Sequence, residues 1–102
     1  LLNAGAVTFE PGARNNWHAH PVAQLLVVTA GEALYKEEGK PAVRVRTGES
    51  AYTPAGVRHW HGAVPDAEMT HVAVTLKGRD GPVEWGRPVT DEEYAQAAAE
   101  AV

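Results

Sequence analysis

Five histidines are the residues of this chain best suited to chemistry, and four of them fall in two short windows, His18-Ala19-His20 and His59-Trp60-His61. On an extended strand, residues i and i+2 point to the same face, about 7 Å apart. Each window therefore aims two imidazoles at one volume. A facial set of imidazoles with open positions suits a divalent metal that must keep room for a substrate. Gln24 opens the next apolar run after a short turn and could offer its side-chain oxygen to the same volume. The fifth histidine, His71, lies in the alternating run Met69-Thr70-His71-Val72-Ala73-Val74. If it shares an inward face with Met69, Ala73 and Thr75, it approaches the other four. An imidazole titrates near neutrality and can serve as a general base there; the alternative is a hydrogen-bonded core histidine. His61 stands either as a second pocket base or as a further metal ligand.

The elements that must hold these groups read as short strands. Ten glycines and seven prolines fall at fairly regular intervals between short apolar runs, the rhythm of an antiparallel sandwich or barrel. The runs are Ala4 to Glu10, Trp17 to His20, Gln24 to Ala30, Ala33 to Glu37, Ala42 to Arg46, Ala51 to Thr53, Val57 to Ala63 and Met69 to Leu76. Glu38-Gly39-Lys40-Pro41 reads as a hairpin turn. Arg79 to Pro88 reads as a Gly/Pro-rich connector carrying Trp85. Thr90-Asp91-Glu92-Glu93 then forms a capping box before an alanine-rich stretch with high helix propensity. The expectation is one domain over 1–102: a barrel over about 4–76, a connector over 77–89, and a C-terminal helix over about 91–101. That helix is expected to act as a lid or dimer element, or simply to cover the barrel. By parity, Trp17 and Trp60 point away from the histidines and serve packing or an interface. Arg14 is expected to pair with an acidic neighbour.

Composition excludes several classes of function. The chain has 102 residues, 44% hydrophobic and 22% charged, enough for one core without disorder. Nine Lys+Arg against thirteen Asp+Glu give a formal charge of -4, which argues against nucleic acid as a partner. No apolar stretch approaches the ~20 residues that cross a bilayer, so no membrane role is expected. No basic-then-apolar leader pattern is present. Cysteine is absent, which removes disulfides, thiolate nucleophiles and Cys-ligated zinc, and fits a cytoplasmic setting.

The spacing Gly-x5-His-x-His-x3-Gln-x6-Gly, then Gly-x5-Pro-x-Gly-x2-His, resembles the two sequence motifs of the cupin superfamily over residues 12–61. The resemblance implies an all-β fold, a small antiparallel cupin barrel of the jelly-roll type with one divalent metal inside. Its ligands fall on His18, His20, Gln24 and His59, with turn residues at Gly12, Gly31, Gly48, Pro54 and Gly56. Most cupins carry glutamate where this chain has Gln24. A wholly neutral ligand set leaves a divalent ion its full +2 charge, which strengthens it as a Lewis acid and favours the divalent state.

Beyond the motifs, Val7-Thr8-Phe9-Glu10-Pro11-Gly12-Ala13-Arg14, His59-Trp60-His61-Gly62-Ala63, Met69-Thr70-His71 and Val89-Thr90-Asp91-Glu92 are similar to the bacterial cupin-type hydroxynitrile lyases. That family uses manganese, or iron in some members, in a three-His-plus-Gln site, with zinc or nickel as further candidates here. The resemblance implies a small cyanohydrin substrate, His71 and His61 as the catalytic pair, and a homodimer or homotetramer. Gly5, Val7, Leu26, Val28 and Met69 are candidates for the apolar wall. An oxygen-dependent cupin cleaving a small organic substrate, or a non-catalytic metal-dependent small-molecule binder, is the alternative.

Overall fold

The computed structural model describes residues 2–76 and 83–102. Its strands are β1 (Leu2–Phe9), β2 (His18–Ala19), β3 (Gln24–Ala30), β4 (Glu32–Glu37), β5 (Val43–Arg46), β6 (Ser50–Thr53), β7 (His59–Ala63), β8 (Met69–Leu76) and β9 (Glu84–Trp85), followed by helix α1 (Asp91–Glu100). They form a four-stranded sheet in the order β1-β8-β3-β6 and a five-stranded sheet in the order β5-β4-β7-β2-β9. All ladders are antiparallel. The expected all-β jelly-roll architecture with a C-terminal helix is what forms.

Alternation decides what each sheet buries. Leu26, Val28, Ala51 and Met69 of the four-stranded sheet meet Ala33, Tyr35, Val45 and Ala63 of the five-stranded sheet in one buried cluster between the sheets. The intervening residues of β4 and β7, Leu34 and Trp60, point the other way. They join Trp17, Val64, Val89, Tyr94 and Ala97 in a second cluster under α1. The centre of the five-stranded sheet is thus buried on both faces, and every residue of β7 is buried. Trp17 and Trp60 are packing residues, as parity predicts.

Helix α1 covers the outer face of the five-stranded sheet and so fulfils the covering role among those expected of it. It starts with the capping box: Glu93 N donates to Thr90 Oγ1 at 3.1 Å and Thr90 N to Glu93 Oε1 at 3.0 Å. Arg14 helps to tie it down, through Asp91 at 2.6 Å and over the Tyr94 ring at 4.7 Å, as Arg87 does through Glu93 at 2.7 Å.

Two glycines are required by close approach. A Cβ on Gly31, whose φ is +71°, would sit 1.9 Å from the Glu68 carbonyl oxygen. A Cβ on Gly62 would sit 2.3 Å from the Ala13 carbonyl oxygen. Gly62 thereby lets the 12–16 segment cross directly over β7, where Arg14 bridges to it.

Several bounds differ from the sequence expectation, β7 among them, which begins at His59 rather than Val57. β1 begins at Leu2 rather than Ala4, because its ladder with β8 runs from Leu2↔Leu76 to Phe9↔Met69. Only His18 and Ala19 of the Trp17–His20 run pair as a strand. The connector expected over 77–89 lies in part outside the described residues, and its latter half contains β9, which pairs with β2. Among the described residues no helix is long and apolar enough to cross a membrane.

Candidate metal centre

The two histidine windows meet because β2 pairs antiparallel to β7 with His18 opposite His59. Their ring centroids lie 4.3 Å apart. His20, at the end of β2, brings its ring to 4.9 Å from His18 and 5.4 Å from His59. His61, two residues along β7, points to the same interior, 5.9 Å from His18 and 6.2 Å from His59. His71 is delivered from the opposite sheet by β8 and meets His61 edge-on at 4.9 Å. All five imidazoles therefore form one continuous cluster. His18, His59, His61 and His71 are buried and His20 is half-buried.

Ring nitrogens of His18, His59 and His61 lie within 4.8 Å of one another, a group that could hold a metal ion. His20 lies outside this triad, although its ring adjoins both His18 and His59. Gln24 opens β3 between Thr53 of β6 and Thr75 of β8, on the same inward row as Leu26 and Val28, and is half-buried.

Backbone carbonyls settle two tautomers. His18 Nδ1 lies 2.8 Å from Asn16 O and His59 Nδ1 lies 3.0 Å from Val57 O. A carbonyl only accepts, so both Nδ1 atoms carry the proton and both Nε2 atoms keep a free lone pair. Nε2 of His20 and of His59 is buried without a hydrogen-bond partner. Orphaned buried acceptors of this kind are costly unless something binds them, and a cation fits. Burial holds all five imidazoles below their ordinary value, that of His59 down to about 4 and that of His61 well below the usual range. They are neutral at physiological pH, the state in which imidazole ligates metal.

His61 is held differently. Its backbone N–H donates to Asn15 Oδ1 at 2.9 Å, which orients the amide, and Asn15 Nδ2 then lies 3.1 Å from His61 Nε2. The amide nitrogen donates, so His61 Nε2 accepts and Nδ1 bears the proton. That Nδ1 is buried and unpartnered. Both ring nitrogens of His71 are likewise buried without partners among the described residues. Phe9 packs against both rings at 5.6 Å.

Sequence reading missed three neighbours of the cluster. Asn15 carried no signal, since its place opposite His61 depends on the loop crossing at Gly62. Trp85, opposite His18 in the β2–β9 ladder, tilts over the His18 ring at 5.0 Å while 65% exposed. Tyr35 lies 5.8 Å from His59 and donates to Glu37 Oε2 at 2.6 Å, while the Thr53 hydroxyl lies 2.6 Å from its oxygen.

Comparison with known proteins agrees with this geometry. The Cupin domain model matches residues 5–75. The chain is 43% identical over 94 residues to an (R)-mandelonitrile lyase of Granulicella tundricola, spanning 92% of this chain and 72% of that protein. A cupin-like protein from Thermotoga maritima superposes with a TM-score of 0.90 at 46% identity, over 94% of this chain and 72% of that one. A DMSP lyase of Ruegeria pomeroyi superposes at 0.76 with 23% identity, over 88% of this chain and 45% of that one, a likeness of fold alone.

Proposed function

The chain belongs to the cupin domain family, and from that premise we propose that it is a metal-dependent hydroxynitrile lyase, splitting a small cyanohydrin into aldehyde and cyanide or joining them. The observation that carries the reading is the buried cluster of neutral imidazoles, in a chain 43% identical to a mandelonitrile lyase. We assign His18, His20, His59 and Gln24 as the ligands of a divalent ion, manganese first and iron, zinc or nickel as further occupants. Bound there with only neutral ligands, such an ion would supply Lewis acidity to the substrate hydroxyl.

The protein groups then have distinct tasks. His71 accepts the hydroxyl proton, since among the described residues no group hydrogen-bonds its ring nitrogens. The C–C bond breaks with its electron pair leaving on cyanide, the carbonyl forms, and the proton held by His71 passes to cyanide. His61 is not a ligand in this reading. Asn15 holds its Nε2, so its Nδ1–H donates a hydrogen bond to the nitrile as negative charge grows there.

Purified protein loaded with manganese should cleave mandelonitrile, followed by the absorbance of benzaldehyde. His71→Ala should lose most of that rate while retaining one metal per chain. Metal-loaded protein that cleaves neither mandelonitrile nor an aliphatic cyanohydrin sinks the reading.

A further inference from the structure

We propose that Glu37 is the counter-charge of the metal centre, a carboxylate held outside the ligand set that supplies from β4 the negative charge Gln24 does not. The role rests on the metal reading given under the proposed function and adds to it a residue that touches neither the ion nor the substrate.

Its position comes from the ladder between β4 and β7. The register sets Tyr35 opposite His61 and Glu37 opposite His59, and directly opposed residues on one face of an antiparallel pair bring their Cβ atoms to about 5 Å. Tyr35 is buried in the cluster between the sheets. By the two-residue period of a strand, Glu37 shares that inner face with Tyr35 and with both histidines. Its side chain is only 11% exposed, and its charge favours a cation at the His59 ring.

Hydrogen bonding keeps the carboxylate charged and fixes its place. Tyr35 donates its hydroxyl proton to Glu37 Oε2 at 2.6 Å, which holds the carboxyl below its ordinary range. With that proton committed, the Thr53 hydroxyl, 2.6 Å away, donates to the Tyr35 oxygen. Thr53 is in turn the β6 partner of Gln24. A chain of hydrogen bonds thus runs from beside Gln24 to beside His59. The other carboxylate oxygen, Oε1, faces Lys40 Nζ at 3.3 Å. Both oxygens have partners, so Glu37 acts across space and not as a ligand.

Charge is unbalanced on both sides of this arrangement. A divalent ion among imidazoles and an amide keeps its full +2. A carboxylate so nearly buried calls for a cation. Among the described residues the cation within ion-pair distance is Lys40, which is 72% exposed and therefore screened by solvent. An ion at the centre and the carboxylate on β4 satisfy one another, and the coordination positions stay open to substrate.

The test is the manganese affinity of the full chain, by competition with a chelator, for the parent, Glu37→Gln, Glu37→Asp and Tyr35→Phe. Glu37→Gln keeps an acceptor for Tyr35 and loses the charge. It should bind manganese about tenfold more weakly, the order expected when one charge is removed near a divalent ion in a partly buried site. Glu37→Asp keeps the charge and should retain most of the affinity. In the iron-loaded protein, Glu37→Gln should raise the ferric/ferrous reduction potential, because a nearby negative charge favours the more highly charged ion; a merely structural role carries no such sign. If Glu37→Gln fails to fold, Tyr35→Phe decides, since it frees the carboxylate without altering net charge and should weaken binding severalfold. Parent-like affinity in Glu37→Gln, or in Tyr35→Phe where that variant decides, overturns the inference and leaves the metal reading standing. So does an equal loss in the Gln and Asp variants, or a potential that stays or falls. A parent chain that binds no manganese overturns both.

Discussion

The side-chain amide of Asn15 holds His61 at two points, its Oδ1 taking the backbone N–H at 2.9 Å and its Nδ2 lying 3.1 Å from Nε2. The first contact orients the amide, so the second can only be a donation to the ring. A residue of the 12–16 segment thereby selects the tautomer of a buried histidine on β7 and leaves the proton on its buried Nδ1. Asn15→Asp tests this. A carboxylate accepts at both points and forces Nε2 to carry a proton, which draws His61 toward the imidazolium or frees Nδ1 as a lone pair. The expected outcome is a fall in lyase rate of about 10²-fold, the cost of losing one aligned donor, with metal content unchanged. Long-range proton–nitrogen NMR of the zinc-loaded protein should show Nδ1–H in the parent and Nε2–H in the variant. The same tautomer in both would contradict the assignment.

Gln24→Glu addresses the charge of the site. A carboxylate in place of the amide lowers the net charge of the ion and its ligands from +2 to +1, which strengthens binding and weakens the Lewis acid. The variant should hold manganese about tenfold more tightly, measured by competition with a chelator, and turn over mandelonitrile more slowly at full loading. Weaker metal retention would remove Gln24 from the ligand set.

The convergence of His18, His20, His59 and His61 was legible in the sequence because strand parity alone decides which side chains share a face. Parity gives the shared face of each His-x-His pair; the register that sets His18 opposite His59 comes from the pairing of β2 with β7. The outward course of Trp60, and its burial under a helix begun by Thr90 and Glu93, follow from the same parity and from local capping chemistry. What stayed hidden depends on tertiary crossings. Asn15 reaches His61 only because Gly62 has no Cβ to keep the 12–16 segment away. Trp85 reaches His18 through a two-residue strand too short for any periodicity. Nor does β1, an ordinary alternating run in sequence, announce that both its faces lie open.

Acid should unfold the metal-free protein early. Burial depresses the histidines in the native state, most definitely His59, from 6.5 to about 4. Between those values the unfolded chain binds protons that the native chain does not, so native stability is complete above about 6.5 and is lost as the pH falls toward 4. His59 alone accounts for about 3 kcal/mol at the lower end, at 1.36 kcal/mol per unit. His18, His20, His61 and His71 shift in the same direction and steepen the loss. Urea midpoints measured between pH 7.5 and 4.5 should therefore fall continuously, and a flat profile over that range would refute the account.

Trp85 should report occupancy of the centre. Its ring tilts over His18 at 5.0 Å and is 65% exposed, whereas Trp17 and Trp60 are buried in the cluster beneath α1, on the far side of the five-stranded sheet. A paramagnetic ion held by His18 would quench the Trp85 indole, whose ring adjoins that of His18, while the two indoles beneath α1 keep their emission. Manganese titration should remove the red-shifted, exposed component of the fluorescence with a stoichiometry of one per chain. Trp85→Phe should abolish that response without changing the metal bound. If quenching persists in the Phe variant, or the blue-shifted component is lost instead, the ion binds away from His18.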